Sequence, residues 1–445
     1  MVINFLKDKS ETILIKEKDV NLYQTNKKWS RNYAIDFLKG WMIILVIVDH
    51  SFTHSFLSNY YNTFWERISI PVFLIIMGLN MVKSFDRKLN LNDNNNLETI
   101  TLRKLYSFDY FSKKLRRYVI PYLFLYLIDA GIYFFINLNS IPTIHTFFYD
   151  EPEYMFIGYT PFWGPGMWFM PVIFWTIILF PLLYYFFKKH PILTFIGCFL
   201  VEISFRIVSY VLYYGVVPYN WHVTKMFFIC NLLYVLSAVA IGMWLSVNYK
   251  IKSKRNLVIW VIFLTWLLSM ALKRFFNLSF EWIEGDYYFL IFSYSGVIVM
   301  FIMTIFPKKL PNWFKKAIVL LSNSTYHILL FQIFYFSIIY HFFLNIFYIF
   351  DFDPLNYAWY FPVNLIIALS GGIMLYKLSY KWKKFVANNQ INLVKIIRKI
   401  GLIVAFIFMF LWIFLQIMFF LVYPVPGVDS FLDRLILFIL SGFQF

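Results

Sequence analysis

Cysteine and charged side chains are both scarce in this chain. Only two cysteines, Cys198 and Cys230, occur in 445 residues, and both lie in apolar stretches. They supply neither a disulfide framework nor the spacing of a zinc site. Charged residues make up 14% of the sequence and hydrophobic residues 61%, which is more apolar surface than a soluble fold hides. The composition therefore excludes a soluble globular protein.

Runs of about 20 apolar residues recur along the chain, the length that a membrane-crossing helix requires. Lys and Arg fall in alternate loops, so the net charge of +17 follows the positive-inside rule and does not indicate nucleic-acid binding. The polar, Lys-rich residues 1–30 lack the apolar core of a cleaved signal peptide. We predict an all-α, multi-pass protein of the cell membrane, with ten or eleven spans and a cytoplasmic N-terminus.

Three regions follow from this pattern. Residues 1–30 form a cytoplasmic arm, residues 31–400 form the main membrane domain, and residues 401–445 hold a last span and an apolar tail. No internal repeat of the transporter kind is visible.

The first span, 34–51, carries ionisable residues, which by default mark a functional site inside a membrane. Lys39 and His50 share one helical face about 16 Å apart, and Asp36 lies near that face. A neutral imidazole can accept a proton from a nucleophile; alternatively, His50 only bonds a neighbouring span. Asp49 points elsewhere around the helix. His54, one turn on, gives a zinc-like spacing without an obvious third ligand, so we expect no metal.

Several other polar residues have both a functional and a structural interpretation. Asp36 and Lys39 can form an interfacial ion pair, or Lys39 can hold a phosphate or pantetheine group. The run Lys113, Lys114, Arg116 and Arg117 can anchor the membrane surface or grip donor phosphates. Glu202 and Arg206 can brace helices or contact substrate, and Trp168 can belong to an aromatic belt.

Five stretches, in order, resemble the membrane-bound acyltransferase-3 family. They are RNYAIDFLKGWMIILVIVDH, RISIPVFLIIMGL, FSKKLRRYVIPY, GMWFMP and SNSTYHILLFQ, spread over residues 31 to about 335. The chain departs from the family pattern at three positions: Lys39 replaces Arg, Met77 replaces Ser and Gln332 replaces His.

The resemblance implies transfer of an acyl group from acyl-CoA, with acetyl-CoA as the expected donor, to a hydroxyl of an extracytoplasmic glycan or lipid. It implies that His50 is the catalytic base, assisted by Lys39 and Asp36, and that Lys114, Arg116 and Arg117 bind the donor. We predict Trp168, Glu202, Arg206 and Tyr326 as substrate contacts. Membrane lipids are the other expected partners, and nucleic acid is not one.

Two alternatives stay open. A transporter or flippase would use Asp36, Glu202, Arg206 and His50 as a proton or substrate pathway. A catalytically inactive relative would explain the three departures from the family pattern.

Overall fold

A computed structural model describes residues 31–52, 64–65, 67–89, 100–136, 166–214, 228–276, 289–338, 360–388 and 392–422. All regular structure in these ranges is helical. The helices are α1 (Tyr33–Ser51), α2 (Ser69–Lys88), α3 (Leu102–Leu105), α4 (Phe108–Lys114), α5 (Ile120–Ile136), α6 (Phe169–Lys189), α7 (Pro191–Tyr214), α8 (Leu236–Val247), α9 (Leu257–Phe276), α10 (Phe289–Ile305), α11 (Asn312–Ile338), α12 (Tyr360–Asn388) and α13 (Asn392–Val422). Three short turns join them: a π-helical turn, Leu115–Val119, and 3₁₀ turns at Leu232–Val235 and Lys254–Asn256.

Six of the described helices are long and apolar enough to cross a bilayer: α2, α6, α7, α9, α11 and α12. Shorter apolar helices cover 232–247, 289–305 and 399–414. Helix α1 spans 19 residues but carries Asp36, Lys39 and Asp49. The predicted all-α membrane fold is confirmed, whereas the number of ten or eleven spans and the cytoplasmic N-terminus stay predictions.

The helix bundle has a buried interior and an apolar outer surface. Helices α1, α2, α6 and α8 bury most of their apolar side chains, whereas α7, α9, α12 and α13 expose large ones, including Leu200, Leu264, Ile366 and Ile403. In water such an exposed apolar surface would be costly, but lipid chains solvate it. The interior helices therefore position the functional groups.

Close backbone contact joins α2 to α8, the most extensive helix pair in the described chain. A Cβ atom at Gly78 would collide with the carbonyl oxygen of Val239, and one at Gly242 would collide with that of Ile75. Two glycines facing each other's helix allow this approach, as small residues do in membrane helix pairs. Helix α1 packs between α2 and α11, and α11 also packs on α12.

Two helices have other limits than the apolar runs of the sequence. The second apolar run begins near residue 64, but α2 begins at Ser69. The tenth apolar run ends near residue 376, but α12 continues to Asn388. Lys377, Lys381, Lys383 and Lys384 lie on this extension. Basic residues mark where the membrane ends, but they are good helix formers and do not end a helix.

Candidate active site

His50 lies in the last turn of α1, with its side chain 10% exposed. Its Nδ1 atom is 2.6 Å from Nε2 of Gln332 on α11. The ring of Phe336, one turn further along α11, packs edge-on against the imidazole at 5.8 Å. His50 therefore faces the bundle interior, as the functional hypothesis requires, and is held by a helix 282 residues away in sequence.

Beside His50, a polar chain ties three helices together. The Tyr335 hydroxyl donates to Asn364 Oδ1 at 2.9 Å, and Asn364 Nδ2 donates to Ser51 Oγ at 3.2 Å. Ser51 Oγ in turn donates to the Ile47 carbonyl of its own helix at 2.6 Å. Buried hydrogen bonds of this kind fix the end of α1 against α11 and α12.

Asp49 lies near the other ring nitrogen, with Oδ2 at 3.7 Å from His50 Nε2. This separation is too long for a hydrogen bond, so Asp49 affects the ring by charge and does not orient it. His54, the partner in the zinc-like spacing, lies outside the described residues. Within the described ranges no cluster of three potential metal ligands occurs.

A tight turn before α6 covers His50. Gly166 has φ +86°, a conformation that residues with a Cβ seldom adopt. A Cβ there would stand 2.9 Å from His50 Cε1 and 3.6 Å from Nε2. The absence of a Cβ at Gly166 therefore leaves space beside the Cε1 and Nε2 atoms of the ring. Trp168, predicted to contact substrate, is two residues further on in this turn, with its ring against Phe169 at 5.9 Å.

At the other end of α1, Asp36 is fixed by two neighbours. Arg31 Nε donates to Asp36 Oδ2, and Ser322 Oγ on α11 donates to Oδ1, each at 2.5 Å. Arg31 also donates to Asn323 Oδ1 at 3.1 Å. Within the described residues, then, Asp36 is ion-paired to Arg31 and not to Lys39. Asp36 still attracts the Lys39 charge, but more weakly than Arg117 repels it.

A basic cluster surrounds Tyr118 at this same end. Arg117 lies over the Tyr118 ring at 5.4 Å and Lys114 at 5.8 Å. Lys39 interacts electrostatically with both Arg117 and Tyr118. Lys383 of α12 is repelled electrostatically by Arg117 and is the fourth cation of the cluster. The structure thus brings together cations from α1, α4, the π-helical turn and α12.

Lys114 is the last residue of α4, before the apolar helix α5, and its side chain is half-buried. Burial is the largest effect on its pKa, which lies below the ordinary value; Arg117 acts in the same direction and Tyr118 opposes both. Arg116 is half-buried and Arg117 exposed. An anion bound here would offset both the burial and the repulsion between cations.

Tyr326 also belongs to this end of the molecule. Its hydroxyl donates to the Tyr118 carbonyl at 2.5 Å, and the two rings meet edge-on at 5.0 Å. Tyr118 lies in the π-helical turn, a local widening that is frequent at functional sites. The adjacent His327 is 5% exposed, and both its ring nitrogens lack a hydrogen-bond partner within the described chain.

Glu202 and Arg206 form a separate, buried brace. Arg206 Nε donates to Glu202 Oε1 at 3.0 Å, and Glu202 Oε2 accepts from Ser237 N at 2.8 Å and Ser237 Oγ at 2.6 Å. Arg206 also donates to the Tyr234 carbonyl at 2.8 Å. These bonds tie α7 to the start of α8. They match the bracing interpretation; a substrate contact stays a prediction.

Sequence reasoning missed five residues at the two ends of α1. They are Gln332, Gly166, Lys383 and the two partners of Asp36, Arg31 and Ser322. Gln332 gave a signal, since it departs from the family pattern, and Gly166 stands within a recognised motif. Lys383 lies in a long basic stretch, and the sequence pattern does not show which of its lysines reaches the cluster.

The fold and these clusters define a class: a multi-pass helical membrane protein with a largely buried histidine at one end of a helix and a cation cluster at the other. The family described as an acyltransferase domain matches residues 32–377. The chain therefore belongs to the acyltransferase-3 family and is a membrane enzyme that transfers acyl groups. A search of the curated proteins and a search of the solved structures each found no match.

Proposed function

We propose that the protein moves an acetyl group from cytosolic acetyl-CoA to a hydroxyl of an extracytoplasmic glycan or lipid, in the cell membrane. The observation that carries this proposal is the arrangement along α1. A histidine lies near one end, under Gly166, and a cation cluster lies near the other. Coenzyme A is long enough to place its phosphates at one such site and its thioester at the other.

The basic cluster suits the donor phosphates. Lys114, Arg116 and Arg117 are the proposed phosphate contacts, with Lys39 deeper along α1 as a contact for the phosphate or pantetheine part. A cleft of 430 Å³ adjoins Lys114, and cations from α2 and α4 line it: Arg87, Lys88, Lys113 and Lys114. Asp109 is the one acidic residue in this lining. A cleft with this charge suits the nucleotide part of the donor.

The chemistry then falls to His50. As general base, it takes the proton of the acceptor hydroxyl while the oxygen attacks the thioester carbonyl carbon. The new C–O bond forms, the C–S bond breaks, and the proton passes from the imidazole to the departing thiolate. In a second version, a ring nitrogen of His50 attacks the thioester carbonyl carbon, the C–S bond breaks and the thiolate leaves. The hydroxyl oxygen then takes the acyl group from the imidazole, and its proton passes to the thiolate.

The remaining predicted residues take different parts in this scheme. Asp36, held by Arg31 and Ser322, fixes the start of α1 relative to α11. Trp168 is the proposed acceptor contact because its turn covers His50. Tyr326, bonded to the Tyr118 carbonyl, supports the donor end. For Glu202 and Arg206 the hydrogen bonds favour bracing, which also counts against a transport pathway centred on them.

Acetyl-CoA binding to the full chain in detergent, measured by calorimetry, tests the donor site. Arg117→Ala should weaken binding about 10-fold or more, the value expected for one hydrogen bond to a charged group. Lys309→Ala, an exposed cation in the loop before α11, is the matched control and should change affinity less than about twofold. His50→Ala should still bind. Failure of the unsubstituted protein to bind any acyl-CoA would contradict the proposal.

A further inference from the structure

Gln332 is fully buried, and its amide holds one nitrogen of the His50 ring. The other amide atom, Oε1, is buried without a hydrogen-bond partner within the described chain. A buried polar atom left unpaired loses its hydrogen bonds to water without replacement, which destabilises the fold. Such an arrangement is unusual in a packed interior and needs an explanation.

The two nitrogens of His50 have different surroundings. Nδ1 faces Gln332 at 2.6 Å. Nε2 faces the Gly166 turn, with Asp49 Oδ2 at 3.7 Å. Phe336 closes one further side of the ring. Nδ1 is therefore the nitrogen that the protein holds at hydrogen-bond distance, and Nε2 is the nitrogen that a substrate hydroxyl would have to reach.

A neutral imidazole carries its hydrogen on one nitrogen only. For Nε2 to accept a proton, the hydrogen must be on Nδ1, and the group beside Nδ1 must be an acceptor. A half-turn about the last side-chain bond of Gln332 exchanges its amide nitrogen and oxygen. With nitrogen toward Nδ1, as placed here, Nε2 carries the hydrogen; with oxygen there, Nε2 is free to act as a base.

We propose that Gln332 is the positioning residue of the site: its amide oxygen accepts the Nδ1 hydrogen of His50 and so presents Nε2 as the base. This inference rests on the proposed function. The half-turn gives the unpartnered oxygen a donor. The separation of 2.6 Å is below the usual range of roughly 2.7–3.2 Å for N–H···O bonds, and oxygen, the smaller atom, fits it better than nitrogen. The Asp49 charge then stabilises the imidazolium that forms.

Two substitutions separate an acceptor role from mere packing. Gln332→Met has nearly the same shape and no hydrogen bond, so kcat should fall about 10- to 100-fold, part of the range for general-base catalysis. KM for acetyl-CoA should not change. Gln332→Glu offers only acceptor oxygens when ionised and should recover kcat to within a few-fold of the unsubstituted enzyme. A Glu variant no better than the Met variant, or a fully active Met variant, would overturn the inference.

A spectroscopic measurement tests the same inference without turnover. Solid-state ¹⁵N NMR of the full chain labelled at histidine, with His50→Ala to assign the signal, shows which ring nitrogen carries hydrogen. We expect protonated Nδ1 in the neutral ring and a loss of this preference in Gln332→Met. A neutral ring with its hydrogen on Nε2 would overturn the inference even if acyl transfer is confirmed. Protonated Nδ1 in a protein that binds no acyl-CoA would leave Gln332 in place and refute the proposed function.

Discussion

Two buried polar clusters of this molecule differ in how fully their hydrogen bonds are satisfied. At the Glu202–Arg206 brace, both carboxylate oxygens and the guanidinium have protein partners at 2.6–3.0 Å. At His50, one ring nitrogen has a close partner, the other has an anion at 3.7 Å, and the Gln332 oxygen has no partner in the described chain. A satisfied cluster stabilises a fold, whereas an incompletely satisfied one leaves hydrogen-bonding capacity for a substrate.

The same comparison applies to the two ends of α1. Asp36 is fully engaged by Arg31 and Ser322, so it holds the helix in place. Lys39, one turn on, has a cation, Arg117, as its principal charged neighbour. Because Arg117 repels Lys39 more strongly than Asp36 attracts it, an added anion is favoured beside Lys39. Substitutions should therefore affect stability at satisfied clusters and activity at unsatisfied ones.

The largest effect is expected for His50→Ala. Loss of the proposed general base should lower the rate of acetyl transfer about 10²- to 10⁴-fold, measured with radiolabelled acetyl-CoA and membranes as the acceptor source. Acetyl-CoA affinity should stay within about threefold, because the proposed phosphate contacts lie at the other end of α1. A variant that keeps the rate of the unsubstituted enzyme would remove His50 from the chemistry.

Arg206→Met should have the opposite profile. It leaves the Glu202 charge buried and unpaired, which costs about 3–5 kcal/mol of stability, measured by thermal or denaturant unfolding in detergent. The double variant Glu202→Leu with Arg206→Met removes both charges and should recover part of this loss. If folded Arg206→Met protein lost acetyl transfer at low temperature without losing stability, the brace would instead belong to the site.

Much of the functional helix could be predicted from sequence because ionisable residues in an apolar span are conspicuous. The local sequence pattern predicted both the polar face of α1 and the cations before α5. It did not predict the ion-pair partner of Asp36. Helical spacing favoured Lys39, but Arg31 precedes the helix and folds back to reach the carboxylate. Competition between two nearby cations depends on backbone direction at the helix start, which spacing does not encode.

The contact between His50 and Gln332 could not be predicted from local pattern at all. It joins residues 282 positions apart, and only the packing of α1 against α11 creates it. The same holds for Lys383, which reaches the basic cluster because α12 continues as a helix beyond its apolar part. Local sequence predicts which residues are polar, and helix packing decides which of them meet.

Gly166→Ala should have an intermediate effect that falls on activity. The positive φ costs about 1–2 kcal/mol for a residue with a Cβ, and the added atom would press on His50 Cε1. We expect acetyl transfer to fall about 10-fold. Gly197→Ala is the matched control, since a Cβ there meets nothing within 4 Å; equal rates in both variants would show that the turn does not shape the site.

The smallest effect is expected for Ser322→Ala. It removes one of the two hydrogen bonds to Asp36 while Arg31 keeps the other, so stability should fall by about 1 kcal/mol. Ser324→Ala is the control, because that hydroxyl donates only to the Leu320 carbonyl of its own helix, and its loss should be close to neutral. Acetyl transfer should change by less than about threefold in both variants. A larger loss of activity in Ser322→Ala, at unchanged stability, would show that Asp36 takes part in acetyl transfer and does not only hold α1 in place.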